Sequence, residues 1–111
     1  MEISKYVHED NILVLEIRGE VDAYTAQDLN KTLGDLLHDG YHQIVVEVSQ
    51  MTFISSAGIR TFLYAQREAV QSGGEVKLVA PTDQVRRIFE IAGFYELFQI
   101  TNDLEESFKN W

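Results

Sequence analysis

The sequence predicts an α/β protein built on a mixed sheet of four to five strands, in the order β-β-α-β-α-β-α-(β)-α. Short apolar segments alternate with stretches whose apolar residues recur every three or four positions, the pattern of strands and helices in turn. One segment, Ile44-Val45-Val46-Glu47-Val48, is almost continuously apolar, as a strand covered on both faces must be. The first two segments are separated only by the polar run His8-Glu9-Asp10-Asn11, which reads as a hairpin and makes the sheet mixed.

In chain order, residues 3–7 form the first strand and residues 12–18 the second. In the second, Leu13, Leu15 and Ile17 share one face, Glu16 and Arg18 enter the other, and Gly19 ends the strand. Ala26, Leu29, Leu33, Leu36 and Leu37 then mark one face of a helix. Thr25 is placed to cap it, Asp28 lies near its positive end, and Gly40 closes it. After the strand at 44–48, residues 49–54 lead to Ser55-Ser56-Ala57-Gly58. A second helix begins there, with Ile59, Phe62, Leu63 and Val70 as its stripe and Gly73-Gly74 as its stop. Residues 76–80 form the next strand, and Pro81-Thr82-Asp83 opens a third helix. Its apolar face is Val85, Ile88, Phe89 and Ala92, and Gly93 ends it. Residues 94–100 are a short apolar segment, and residues 102–110 a last helix carrying Leu104 and Phe108. Sites in open α/β sheets lie beyond the carboxyl ends of the strands. Two loops meet that description, residues 19–25 and 49–58.

Composition narrows the function classes. The chain has 111 residues, which predicts one domain, residues 1–111, with a single core. Hydrophobic residues make up 45%, too many for a disordered chain. The net charge of −9 argues against nucleic acid, whose phosphates need clustered Lys and Arg, and favours protein partners. The absence of cysteine excludes disulfides, thiolate metal sites and cysteine catalysis, and fits a reducing compartment. The start shows no basic segment followed by an apolar one, and no apolar run exceeds four residues, so the expectation is a cytoplasmic protein without a membrane span.

The chemistry concentrates at Ser55-Ser56-Ala57-Gly58. Two hydroxyls stand where a loop enters a helix, beside unpaired N–H groups and a partial positive charge. Such a place stabilises an anion, including a phosphate on the serine itself, although an ordinary serine cap has the same spacing. Gly58 in the first turn weakens the helix and admits a close neighbour. Catalytic alternatives lack their residues. No glycine stands two positions before either serine, as a hydrolase elbow requires, and no phosphate-cradling Gly-x-x-x-x-Gly-Lys motif is present. His8, His38 and His42 lack metal-ligand spacing. No enzyme activity, metal or cofactor is therefore expected.

The stretch Ile44 through Ile59 resembles the signature of the STAS domain, and more narrowly that of the bacterial anti-sigma factor antagonists. Gly19-Glu20-Val21-Asp22 resembles the family's Gly-x-apolar-Asp, and residues 85–98 resemble its closing helix, glycine and short strand. The resemblance implies a STAS-type sheet with helices mainly on one face. It also implies partner switching. An unphosphorylated antagonist binds an anti-sigma factor that is also a serine kinase of the histidine-kinase-like ATPase fold. Phosphorylation releases it, and a metal-dependent serine phosphatase resets it. The position matching the phosphorylated serine is Ser56, with Ser55 as second choice. Two positions depart from the family pattern: Ser55 stands where an acid is common, and Glu47 where an aspartate is common. The candidate partner-facing residues are Asp22, Met51, Phe53, Ser55, Ser56, Ala57, Gly58 and Arg60. Asp22 reads equally as a turn residue or cap of the first helix, and Met51 and Phe53 either form an exposed apolar patch beside the serine or pack under the loop. Arg60, one turn beyond Ser56, is also placed to pair with a phosphate there. The competing expectation is a STAS scaffold that regulates a signalling phosphatase or kinase without a sigma factor. A monomer is expected, with the sheet edge at the first hairpin as the place for weak dimerisation.

Overall fold

A computed structural model describes all 111 residues. Five strands form one sheet in sequential order: β1 (Glu2–His8), β2 (Ile12–Val21), β3 (Gln43–Ile54), β4 (Glu75–Val79) and β5 (Gln99–Thr101). β1 runs antiparallel to β2, and every later pair is parallel, so the sheet is mixed as the hairpin predicts. The helices are α1 (Thr25–His38), α2 (Ser56–Gln71), α3 (Asp83–Ile91) and the four-residue α4 (Leu104–Ser107).

The sheet has two apolar faces of unequal size. Leu13, Leu15, Ile17, Ile44, Val46, Val76 and Leu78 join the inner residues of α1, α2 and α3 in a cluster of 22 buried residues. On the opposite face, Ile12, Val14, Val45 and Val79 form a smaller cluster under Leu104, Phe108 and Trp111. This second cover explains why residues 12–15 are all buried although alternation predicts one better-buried face.

The helix stops follow the glycines. Tyr41 N–H donates to Leu36 C=O and Gly40 N–H to Leu37 C=O, with Gly40 at φ +98°, a left-handed stop that only glycine adopts without strain. The same pair of bonds recurs at Gly73-Gly74 after α2 and at Gly93-Phe94 after α3.

Several boundaries differ from the expectation, each for a physical reason. Gly19 does not end β2. It sits at φ +87° within a register irregularity, and the strand resumes to Val21. β3 likewise continues through residues 49–54, because β2 extends alongside it as far as the Val21–Ile54 pair. The two predicted site loops therefore shrink to residues 22–24 and to Ser55. Val70 is 56% exposed rather than on the α2 stripe, since the phase of Ile59 and Phe62 turns Ala65 and Ala69 inward instead. Ala92 is an exposed C-cap, and the last helix is four residues long rather than spanning 102–110. Thr25 is not the cap of α1, which is supplied by Asp22.

Two glycines test this account with opposite signs. A Cβ on Gly74 would collide with the backbone carbonyl of His42, whereas one on Gly34, inside α1, meets nothing. Gly74→Ala is expected to destabilise the fold by about 1–3 kcal/mol, as overpacking does. Gly34→Ala is expected to stabilise it by about 0.5–1 kcal/mol through helix propensity. Urea denaturation followed by circular dichroism checks both.

Candidate functional site

The site stands where β2 and β3 end together. Beyond the Glu47–Val79 pair, β4 stops, and β3 continues beside β2 alone. This two-stranded extension carries the chain to the start of α2, at the carboxyl ends of the parallel strands. Ser55 N–H donates to Val21 C=O at 2.8 Å, which joins the α2 entrance to the end of β2. Ser55 is also the N-cap of α2: its Oγ accepts from Gly58 N–H at 3.1 Å. Ser56 is the first residue of the helix, and it is exposed. The structure thus separates the two hydroxyls. Ser55 caps the helix, and Ser56 faces out beside the positive end of a 16-residue helix.

Gly58 is buried, and what approaches it is the protein's own core. An added Cβ would lie 2.7 Å from Ile54 Cγ1 and 2.9 Å from Val21 Cγ1. Glycine is needed here so that α2 can settle on the ends of both strands, and it offers no side chain to a partner. Met51 is fully buried in the main cluster, so it does not form the surface patch expected of it with Phe53. Phe53 points the other way and is 38% exposed. Regular alternation would put residues 51 and 53 on one face; the register irregularity that pairs Gly19 with Met51 and Glu20 with Phe53 adds Thr52 to β3 and turns the two side chains apart.

Asp22 closes the neighbouring turn. Its Oδ1 accepts from Thr25 N–H at 2.7 Å and from the Thr25 hydroxyl at 3.0 Å, while Thr25 Oγ1 accepts from Asp22 N–H at 2.9 Å. The Asp22 carbonyl accepts from Ala26 N–H at 2.9 Å, the first helical bond. This is a reciprocal capping box with aspartate and threonine in its two places. The Thr25 N–H, and then its hydroxyl, hold the Asp22 carboxyl below the ordinary carboxylate value.

Between α1 and α2 runs a groove of about 320 Å³, to which Ala23, Gln27, Ala57, Arg60 and Tyr64 contribute. Sequence reasoning selected Ala57 and Arg60 but missed Tyr64, 56% exposed, and Tyr24, 78% exposed. A signal for Tyr64 was available: it lies one turn beyond Arg60, off the buried stripe of α2, and a large aromatic there has no core role. Glu47, the other departure from the family pattern, accepts from Ser49 N–H at 2.7 Å where β4 ends. No helix is long and apolar enough to cross a membrane.

A mixed sheet of this order, with α2 entering at the ends of β2 and β3, is the architecture of a known domain family. The chain belongs to the STAS domain family, whose profile matches residues 4–107. It is 31% identical over 96 residues to BtrV, a candidate anti-sigma factor antagonist of Bordetella bronchiseptica, covering 86% of this chain and 83% of that protein. It is 26% identical over 97 residues to the anti-sigma-B factor antagonist of Staphylococcus aureus, covering 87% and 90% of the two chains. The crystal structure of a candidate anti-sigma factor antagonist from Thermotoga maritima superposes with a TM-score of 0.89 at 21% identity, covering 96% of this chain and 91% of that one. The anti-sigma factor antagonist SpoIIAA gives 0.84 at 19% identity in its unphosphorylated form, covering 96% and 93%. The phosphorylated form of SpoIIAA, from Bacillus, gives 0.76 at 18% identity, covering 96% of each chain.

The two caps have separable consequences. Ser55→Ala is expected to destabilise the protein by about 1 kcal/mol, the ordinary cost of losing a serine N-cap. For Asp22, the folded pKa lies below the unfolded one. Its contribution is therefore complete above the ordinary carboxylate range and is lost as pH falls through the lowered folded value. The urea midpoint of wild type should exceed that of Asp22→Asn at neutral pH, and the gap should close on acidification. An equal gap at neutral and acid pH would show that the carboxylate charge plays no part in the cap.

Proposed function

We propose that this protein is an anti-sigma factor antagonist that works by partner switching, with Ser56 as the switch. In its unphosphorylated form it binds an anti-sigma factor that is also a serine kinase of the histidine-kinase-like ATPase fold. Phosphorylation of Ser56 by that kinase ends the complex, and a metal-dependent serine phosphatase restores the starting state. One observation carries the reading. Of two adjacent serines at the α2 entrance, Ser55 is engaged as the cap and Ser56 presents a free, exposed hydroxyl. The names of the relatives support the antagonist role, and SpoIIAA is a protein of this fold with a phosphorylated form.

The physics of the switch follows from the site. A phosphate adds about −1.5 to −2 charges at neutral pH. At the first turn of α2 that charge meets free N–H groups and the positive end of the helix, so the isolated fold accommodates it. A partner seated on Ser56 and on the aromatic residues nearby loses complementarity when the same charge appears inside its contact. The Tyr24, Tyr64 and Phe53 side chains, with the groove beside Arg60, supply the apolar part of such a contact. Serine in place of an acid at residue 55 keeps the cap, since both residue types rank among the preferred N-caps. It also removes one carboxylate from beside the acceptor hydroxyl.

Wild type, Ser56→Ala and Ser56→Asp used as baits in cytosol from the source organism test the proposal. Wild type and the alanine variant should retain a histidine-kinase-like ATPase, and the aspartate variant should retain it about tenfold less, a difference near 1.4 kcal/mol. Incubation with that ATPase and ATP should place phosphate on residue 56 of wild type and on neither variant. Equal retention by all three baits, with no phosphate on residue 56, would replace the switch with a constitutive scaffold.

A further inference from the structure

The second face of the sheet holds a charged group that the proposed switch does not use. Lys77, on β4, is fully buried. A buried ammonium is costly unless its charge is met. Lys77 forms no salt bridge, the ion pairs of the chain being Arg18–Glu16 and Lys31–Asp35. Its Nζ instead donates to the carbonyl oxygens of Ser107 at 3.1 Å, Lys109 at 2.5 Å and Asn110 at 3.4 Å. It also stands 3.9 Å from the centroid of the Trp111 ring. The carbonyls at the end of a helix carry partial negative charge, and an aromatic face attracts a cation. Burial lowers the ammonium from the ordinary lysine value, so its surroundings meet only part of the desolvation cost.

All these partners belong to one segment, residues 103–111, whose attachment to the sheet is of a particular kind. Leu104, Phe108 and Trp111 pack on Ile12, Val14, Val45 and Val79. The Phe108 ring stacks on His8 at 3.7 Å between centroids and 9° between planes. No strand ladder joins the segment to the sheet, whose last strand is β5. Within the segment, the bonds from the Ser107, Phe108 and Lys109 N–H groups are all 3.3 Å long. A helix of four residues does not hold its shape in water without tertiary contacts. Meanwhile the 22-residue cluster contains no residue of this segment. The segment's packing contacts therefore lie outside the main core.

We infer that residues 103–111 form a strap that lifts from the second sheet face as a unit, with the Lys77 ammonium as its clasp, while the main core stays folded. Lifting hydrates the ammonium and uncovers a strip of Ile12, Val14, Val45 and Val79. The closed state is held by that apolar contact, the His8–Phe108 stack and the three carbonyl bonds to Lys77. Segments whose contacts are few and confined to side chains open at a lower free energy than the whole domain.

Trp111 is the one tryptophan of the chain, so its emission reports the strap alone. Urea titrations of the full chain should show the Trp111 emission changing at a lower midpoint than the far-ultraviolet ellipticity. Lys77→Met, which keeps the apolar stem and removes the donors, should raise the strap-opening constant about tenfold, a shift near 1.4 kcal/mol, and move the ellipticity midpoint less. Phe108→Ala keeps Lys77 and should separate the two transitions in the same way. Emission and ellipticity that coincide in wild type and in Phe108→Ala would overturn the strap, even if Lys77→Met fails to fold. Separation in Phe108→Ala with an unchanged emission midpoint in a folded Lys77→Met would overturn the clasp.

Discussion

The position of Ser56 depends on how closely α2 can approach the ends of two strands. Val21 and Ile54 are paired at the tip of the β2–β3 extension, and Gly58 rests on both of them. The bond from Ser55 N–H to Val21 C=O fixes the same junction from the backbone side. A side chain at residue 58 would push the first turn of α2 away from the sheet, and the Ser55 cap and the outward direction of Ser56 would move with it. Because Ser55 caps from its side chain and docks from its backbone, one residue ties the helix start to the sheet in two ways. The proposed switch is thus mounted on a rigid base.

That rigidity bears on how phosphorylation would act. The α2 entrance is held by buried apolar contacts and satisfied backbone bonds, none of which involves the Ser56 hydroxyl. A phosphate there changes the charge presented to a partner without removing anything that holds the domain together. The effect falls on the complex rather than on the fold, which suits a device that must survive repeated cycles of modification. The neighbouring turn follows the same logic. The Asp22–Thr25 capping box completes itself, so the turn beside Ser56 keeps its shape without help from the serine.

Much of the fold was legible because local signals agreed with the global pattern. The β-branched run at residues 44–48, the helix stops at Gly40, Gly73 and Gly93, and the cap at Thr82 all lie where periodicity and turn chemistry put them. The misreadings concern what pairing decides and local sequence does not. Residues 49–54 contain Ser, Gln and Thr and look like a loop, yet β2 supplies a ladder that draws them into a strand. Gly19 looks like a stop, yet a register irregularity absorbs its positive φ. These two features misplace Met51, because the irregular register opposite Gly19 and Glu20 inserts Thr52 and turns Met51 inward while Phe53 faces out. In the site itself, Ser56 could be selected by motif, but its distinction from Ser55 needed the cap bond. Asp22 reads as a turn residue or a cap, whereas the reciprocity with Thr25 appears only once both side chains are placed. Lys77 gave no sequence signal, since an apolar strand with one lysine ordinarily snorkels that lysine to solvent.

The unequal faces of the sheet separate two kinds of work. The side carrying α1, α2 and α3 has 22 mutually packed residues and holds the serine, so perturbing it costs global stability. The other side has four buried apolar residues under a short segment whose backbone carbonyls accept from a single buried lysine, and it holds far fewer packed residues. Strands β3 and β4 belong to both sides, with Val45 and Lys77 paired beneath the strap and Val46 and Leu78 paired in the main core. A change on the strap side reaches Ser56 only if it moves β3, and β3 is pinned by β2 along most of its length. Strap opening and serine modification should therefore be nearly independent equilibria. A ligand that bound only the open strap would shift the strap, and it would leave the affinity of the α2 surface for its partner almost unchanged.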